Sequence, residues 1–69
     1  MTTEPRFSAK ELLAAVEREL HFRRKVFPRR VQQQQMSMES AQKQIAMFEV
    51  IREEYRAKAE AEEANGRLL

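Results

Sequence analysis

Residues 21–36 read HFRRKVFPRRVQQQQM and separate two amphipathic stretches of the chain. They contain five cations, two phenylalanines and the interior proline Pro28, but no acidic residue. Proline has no amide hydrogen and clashes with the carbonyl four residues earlier, so a helix kinks or stops there. We therefore expect a first helix over about 9–27, with a kink or a short helical turn at 28–34.

Capping patterns indicate where the two helices begin. Ser8 and Glu11 form an S-x-x-E capping box, in which each side chain accepts a hydrogen bond from the other residue's backbone. Ser37 has the side chain of a second N-cap, and Glu39 in the following turn suits the helix dipole. The sequence therefore predicts helices that begin just after each serine.

The end of the second helix is less sharply marked. Asn65 and Gly66 are typical C-cap residues and favour a second helix over about 38–64. The run AKAEAEEA before them has strong helix formers without large apolar groups, so the last turns are expected to project into solvent or fray. The predicted organisation is an N-terminal tail (1–7), a helical hairpin domain (8–64) and a C-terminal tail (65–69).

Each predicted helix has one apolar stripe at helical spacing, which favours an all-α fold. A short connection favours antiparallel neighbours, so the sequence predicts a two-helix antiparallel hairpin. Two helices cannot enclose a core between them, and we therefore expect homodimerisation into a four-helix bundle. The residues predicted in the core or dimer interface are Leu13, Val16, Leu20, Phe27, Ile45, Phe48, Ile51, Arg52 and Tyr55.

Arg52 is the charged member of the second stripe. Glu17 falls in the facing arc of the first helix when residues are placed 100° apart. We expect a partly buried ion pair between these two side chains that helps to set the register.

Positive charge is concentrated where the two predicted helices meet. The net charge is −1 over residues 1–20, +5 over 21–36 and −2 over 37–69. Three interpretations remain open: a solvated helix end, a protein-docking surface and a nucleic-acid patch. No third helix of adequate length is predicted, which disfavours a DNA-binding helix-turn-helix domain. The candidate contact residues, called the basic corner below, are Phe22, Arg23, Arg24, Lys25, Arg29 and Arg30.

Several functional classes find no support in the sequence. The chain has no cysteine and a single histidine, His21, so disulfides, thiolate metal sites and thiol nucleophiles are excluded. No nucleotide loop, metal cluster or paired catalytic carboxylates are recognisable, so we expect neither an enzyme nor a cofactor. No apolar run approaches the ~20 residues that span a bilayer, and MTTEPRF lacks the order of a signal peptide. We expect a cytoplasmic protein.

The basic corner also resembles a known pattern. The string RRKVFPRRV is followed by spaced residues along the second stretch: Met36, Ser37, Ala41, Ile45, Met47, Ile51 and Tyr55. Together they resemble a family of small phage and prophage helical-hairpin proteins, which includes the anti-quorum-sensing proteins of Pseudomonas phages. Its members read R-x-V-Y-P-x-x-V, then a glycine-basic-Met turn, then A-x-x-E-I-x-x-M-x-x-I and a tyrosine. The similarity covers roughly residues 9–56.

The resemblance implies a function that depends on binding other proteins. It implies a homodimer that binds the DNA-binding domain of a LuxR-type quorum-sensing regulator and also inhibits the type IV pilus assembly ATPase. Three positions depart from the family pattern: Phe27 stands where tyrosine is usual, Gln34 where glycine is usual, and Gln44 where the family often has glutamate. A positive φ at Gln34 would cost about 1 kcal/mol, because only glycine adopts that conformation freely.

Overall fold

The computed structural model describes residues 7–68, with side chains described for residues 7–66. Within that part the chain forms two helices and no strand: α1 (Ala9–Gln32, 24 residues) and α2 (Met38–Leu68, 31 residues). The two helices pack against each other. They run antiparallel, because Ala9 at the start of α1 contacts Glu62 near the end of α2, while Arg24 contacts Glu49. The predicted all-α hairpin is confirmed.

The predicted capping box begins α1. The Ser8 hydroxyl accepts a hydrogen bond from the Glu11 amide at 3.1 Å, and a Glu11 carboxylate oxygen accepts one from the Ser8 amide at 3.2 Å. The Ala9 amide donates to both carboxylate oxygens of Glu62 on α2, at 3.1 and 3.2 Å. The carboxylate of Glu62 therefore adds a second cap that comes from the opposite helix.

The expected end of the first helix was wrong, because α1 continues through Pro28 and ends at Gln32. Of the two alternatives for 28–34, a kink or a short helical turn, the second correctly made residues 28–32 helical. These residues nevertheless continue α1 and do not form a separate turn. Proline costs the helix one hydrogen bond and adds a clash. Phe27 is nevertheless 4% exposed, and it shares a groove with Val31 of α1 and Ala41 of α2. Burial of the apolar face on both sides of Pro28 offsets the local penalty.

A Schellman motif ends α1. The Gln35 amide donates to the Arg30 carbonyl at 2.8 Å, and the Gln34 amide donates to the Val31 carbonyl at 3.0 Å. A Schellman motif needs a residue in the left-handed conformation just after the helix end, and Gln34 has that conformation with φ 62°. A position with this φ favours glycine, which is the residue that the pattern resembled by the sequence has there.

Ser37 is the N-cap of α2, as predicted. Its hydroxyl accepts a hydrogen bond from the Ser40 amide at 3.0 Å. The end of α2 differs from the expected 38–64, because the helix continues to Leu68 through Asn65 and Gly66. Neither residue adopts the positive φ that a helix-ending cap requires. Residues 1–6 of the predicted N-terminal tail and residue 69 of the predicted C-terminal tail lie outside the described residues.

The core between the helices is thin. Four apolar residues are buried within the described part of the chain: Ala9, Leu20, Phe27 and Ala41. Of the nine residues predicted for the core or dimer interface, Leu20 and Phe27 are buried. The other seven are half-buried: Leu13, Val16, Ile45, Phe48, Ile51, Arg52 and Tyr55. Each helix meets one partner, so most of the stripe stays partly open.

The expected ion pair between Arg52 and Glu17 does not form among the described residues. The Nε atom of Arg52 is buried without a hydrogen-bond partner, and Glu17 is exposed. On α1, Glu17 lies about 80° around the helix axis from the buried Ala9 and Phe27, so it faces solvent at the edge of the contact. Arg24 and Glu49 form an ion pair between the helices.

Candidate functional site

Arg23 of the basic corner is packed between the helices. Its guanidinium carbon lies 3.8 Å from the ring centroid of Phe48 and 5.6 Å from that of Phe27. Its Nε donates to a Glu19 carboxylate oxygen at 2.8 Å, and the side chain is 20% exposed. A cation stacked on an aromatic ring is stabilised by the ring quadrupole. Arg23 thus joins α1 to α2, and little of it remains for another molecule.

Two further arginines of the corner have partners within the hairpin. Arg24 donates from its guanidinium to the Glu49 carboxylate, which links the two helices on one face. The guanidinium carbon of Arg30 lies 5.9 Å from the centroid of Phe27. These contacts hold both long side chains against the fold.

The other three corner residues point away from α2. Phe22 is 49% exposed, and Lys25 and Arg29 are exposed and form no ion pair among residues 7–66. Arg18 is also exposed and continues the line, because successive members are three or four positions apart. We call this line the outer ridge: Arg18, Phe22, Lys25 and Arg29.

The structure therefore divides the predicted contact set into two groups. Arg23, Arg24 and Arg30 contact side chains of the hairpin, whereas the outer ridge faces solvent. Sequence reasoning left Arg18 out because it lies outside the densest run of cations. Its spacing of four and seven residues from Phe22 and Lys25 could have identified it.

An apolar groove lies beside the corner on the face that carries Arg24 and Glu49. Residues of both helices line it, including Phe27, Pro28, Val31, Met38, Ala41 and Ile45. The sequence could not predict this groove, because it forms only when α1 continues past Pro28 and brings Val31 opposite α2.

Comparison with known proteins gives no relative: no family model, no curated protein and no solved structure matches this chain. Within the described residues, no three histidine, aspartate or glutamate side chains are grouped to hold a metal ion. Neither helix has the length and apolar character needed to cross a bilayer over the part of the chain that is described.

Proposed function

We propose that this chain is a small phage-encoded regulatory protein that binds and inhibits host proteins as a homodimer. Its main target is proposed to be a LuxR-type quorum-sensing transcription regulator, whose DNA-binding domain it occludes. The type IV pilus assembly ATPase is proposed as a second target. The protein would act stoichiometrically in the cytoplasm of the bacterial host, without catalysis or a cofactor. The outer ridge is the observation that supports a docking function.

The ridge has the composition of a protein contact. Phe22 offers an aromatic ring that is half exposed, and Lys25 and Arg29 stand beside it without ion-pair partners among residues 7–66. Interfaces commonly centre on such an aromatic anchor with a charged rim around it. The α1 backbone under the ridge is held by Arg23 against Phe48, so little order has to be gained on binding.

Charge restricts how the ridge can meet a transcription regulator. The DNA-contacting surface of such a domain is itself basic, so the ridge cations would be repelled from it. We therefore propose that the ridge contacts an acidic patch next to the recognition helix. The body of the hairpin would then cover the DNA-contacting surface, which is inhibition by steric exclusion.

A paired charge-removal experiment tests this assignment. The ridge variant carries Lys25→Gln and Arg29→Gln, and the control carries Lys10→Gln and Arg56→Gln, which remove the same charge near the other end of the hairpin. Calorimetric titration against a purified LuxR-type DNA-binding domain should show at least about 10-fold weaker binding for the ridge variant. The control should stay within about threefold.

Different results of this experiment would reject the proposed target and the proposed contact surface. Failure of the wild-type protein to bind the domain, or to release it from its DNA site, would reject the proposed target. Binding by the ridge variant equal to that of the wild type would reject the ridge as the contact. Arg23 and Arg24 are left unchanged because they contact Phe48 and Glu49 of α2, so their loss would disturb the packing of the two helices.

The alternative is a nucleic-acid-binding module that uses the same ridge. An exposed phenylalanine among three cations could stack a base while the cations contact phosphates. Each phosphate contact contributes about −0.9 to the slope of log affinity against log salt on duplex DNA. Fluorescence anisotropy with a DNA duplex at several salt concentrations tests this alternative. A slope of log affinity against log salt near −3, with a smaller magnitude for the ridge variant, would favour nucleic acid over the protein target.

A further inference from the structure

A half-buried cation without a partner lies on the side of α2 that borders the apolar groove. Arg52 forms no ion pair among residues 7–66, and its buried Nε atom has no hydrogen-bond acceptor there. The carboxylate one turn earlier on α2, that of Glu49, is occupied by Arg24. A cation that is partly removed from water is costly unless a carboxylate or another acceptor reaches it. Within the described residues, the hairpin supplies no such acceptor to Arg52.

Arg52 shares one side of α2 with two residues of the apolar groove. Residues seven apart on a helix differ by about 20° around its axis, so Met38, Ile45 and Arg52 form one line. Arg52 lies about 10.5 Å along that line from Ile45, because each residue adds about 1.5 Å. An apolar site and an unpaired cation therefore stand at a fixed separation on one surface.

The size of the apolar groove restricts what can enter it. The groove has a volume of about 260 Å³ and is open to solvent. An apolar cavity of roughly 150 Å³ in another protein holds a benzene molecule. The groove therefore has room for one large apolar side chain, such as that of leucine or phenylalanine.

The separation between the groove and Arg52 fits a helix. Residues seven positions apart on a helix point to the same side and lie about 10.5 Å apart. Side chains on one face of an extended strand lie about 6.8 or 13.6 Å apart, so they miss one of the two points. We infer that the apolar groove and Arg52 together bind an amphipathic helix of a partner protein, with an apolar side chain in the groove and a carboxylate seven positions away at Arg52.

Packing of α2 against α2 of a second copy of this chain does not satisfy both features. An antiparallel pair with Met38 opposite Ile45 leaves the α2 of the second copy too short to reach Arg52. Pairing Arg52 with Glu49 of the second copy instead sets the cation Arg56 against the groove. The groove and Arg52 are complementary to a different sequence, in which an apolar and an acidic residue have the required spacing.

A designed helical peptide tests the inference. The probe is an alanine- and glutamine-based helix with one phenylalanine and a glutamate seven positions before and after it, so that its direction of binding does not matter. The control peptide has the same composition, but each glutamate stands five positions from the phenylalanine, where it points about 140° away from it. Titration into the full chain, followed by NMR chemical shifts, measures both affinities. We expect the control peptide to bind at least about 10-fold more weakly than the probe.

Two variants of the protein locate the binding. Met38→Glu places a charge in the groove, and Met47→Glu is the matched control, because nine residues set the two methionines on opposite sides of α2. Both side chains are exposed, so neither change should disturb the fold. The affinity for the probe should fall at least about 10-fold in Met38→Glu and stay within about threefold in Met47→Glu.

Arg52→Gln tests the contact with the carboxylate. This variant should bind the probe about 10-fold more weakly, whereas its affinity for the control peptide should change by less than about threefold. Removal of an unpaired cation should not unfold the hairpin, and circular dichroism checks that the helix content is retained.

The inference fails on any of three results. No binding of the probe at about 1 mM, or equal binding by the wild type and Met38→Glu, would overturn the groove as a docking site. Equal affinities of the wild type for the two peptides would overturn the acidic contact at Arg52. Sedimentation equilibrium gives the third: a dimeric wild type and a monomeric Met38→Glu would show that a second copy occupies the groove. Binding of a LuxR-type domain through the outer ridge is independent of these results and is tested separately.

Discussion

The two ends of the hairpin are stabilised in different ways. At the turn end, Phe27 and Ala41 are buried and a Schellman motif closes α1. At the open end, Ala9 is the one buried residue of the first turn, and Glu62 caps it with a carboxylate. Burial of apolar area is not weakened by charge screening, whereas the stabilisation from a charged cap falls as the salt concentration rises. We therefore expect the turn end to be the more stable of the two, and the stability of the open end to decrease with added salt.

Phe27→Ala should produce the largest effect and is a direct way to break the turn end. Truncating a buried phenylalanine costs about 3–5 kcal/mol, and here it also removes the ring that Arg23 and Arg30 contact. Leu13→Ala at the open end removes a half-buried side chain, so we expect a loss of about 1–2 kcal/mol. Urea denaturation at one fixed protein concentration measures both values. Equal losses would contradict the difference between the two ends.

Pro28→Ala should strengthen the turn end by about 1–2 kcal/mol. The new amide can donate to the Arg24 carbonyl, and alanine is the best helix former at this exposed position. Pro28→Gly is the matched control, because it restores the same amide but should gain about 1 kcal/mol less. A drop in stability for Pro28→Ala would indicate that the ring itself is needed, for example in the groove with Met38. Urea denaturation gives the answer.

Gln34→Gly should stabilise the connection by about 1 kcal/mol. Glycine adopts the left-handed conformation at φ 62° without the steric cost that glutamine bears. Gln33→Gly is the control, because Gln33 has φ −86° and gains nothing from glycine. We expect that control to be neutral or destabilising by thermal denaturation. If both variants behave alike, the left-handed turn is not what limits stability here.

Glu62→Gln should have the smallest effect and concerns the open end alone. Loss of the charge at the start of α1 should cost about 0.5 kcal/mol at low salt and less at high salt. Glu60→Gln is the control, since among residues 7–66 the Ala9 amide donates to Glu62 and no group of α1 donates to Glu60. Thermal denaturation of the two variants at 20 and 500 mM salt gives the difference. A loss that does not change with salt would assign Glu62 a packing role.

The candidate site could be predicted only in outline. The run of cations and Phe22 were visible in the sequence, and so was their location at the connection between two helices. The sequence did not show which cations are free to contact a partner, because Arg23 and Lys25 are neighbouring cations of the same run. Their directions lie about 160° apart around α1, so Arg23 meets Phe48 and Lys25 meets solvent. Only the position of α2 decides which is which.

The sequence by itself determined both helix starts, the antiparallel hairpin and the concentration of positive charge at its turn. These features depend on groups within about four residues of each other, such as Ser8 with Glu11 and Ser37 with Ser40. The tertiary structure alone decided that α1 continues through Pro28, that Glu62 caps Ala9, and that Arg52 does not pair with Glu17. The first outcome depends on burial of Phe27 against α2, which offsets the cost of the proline. The other two depend on the register between the helices, because a long side chain binds whichever partner that register brings within reach.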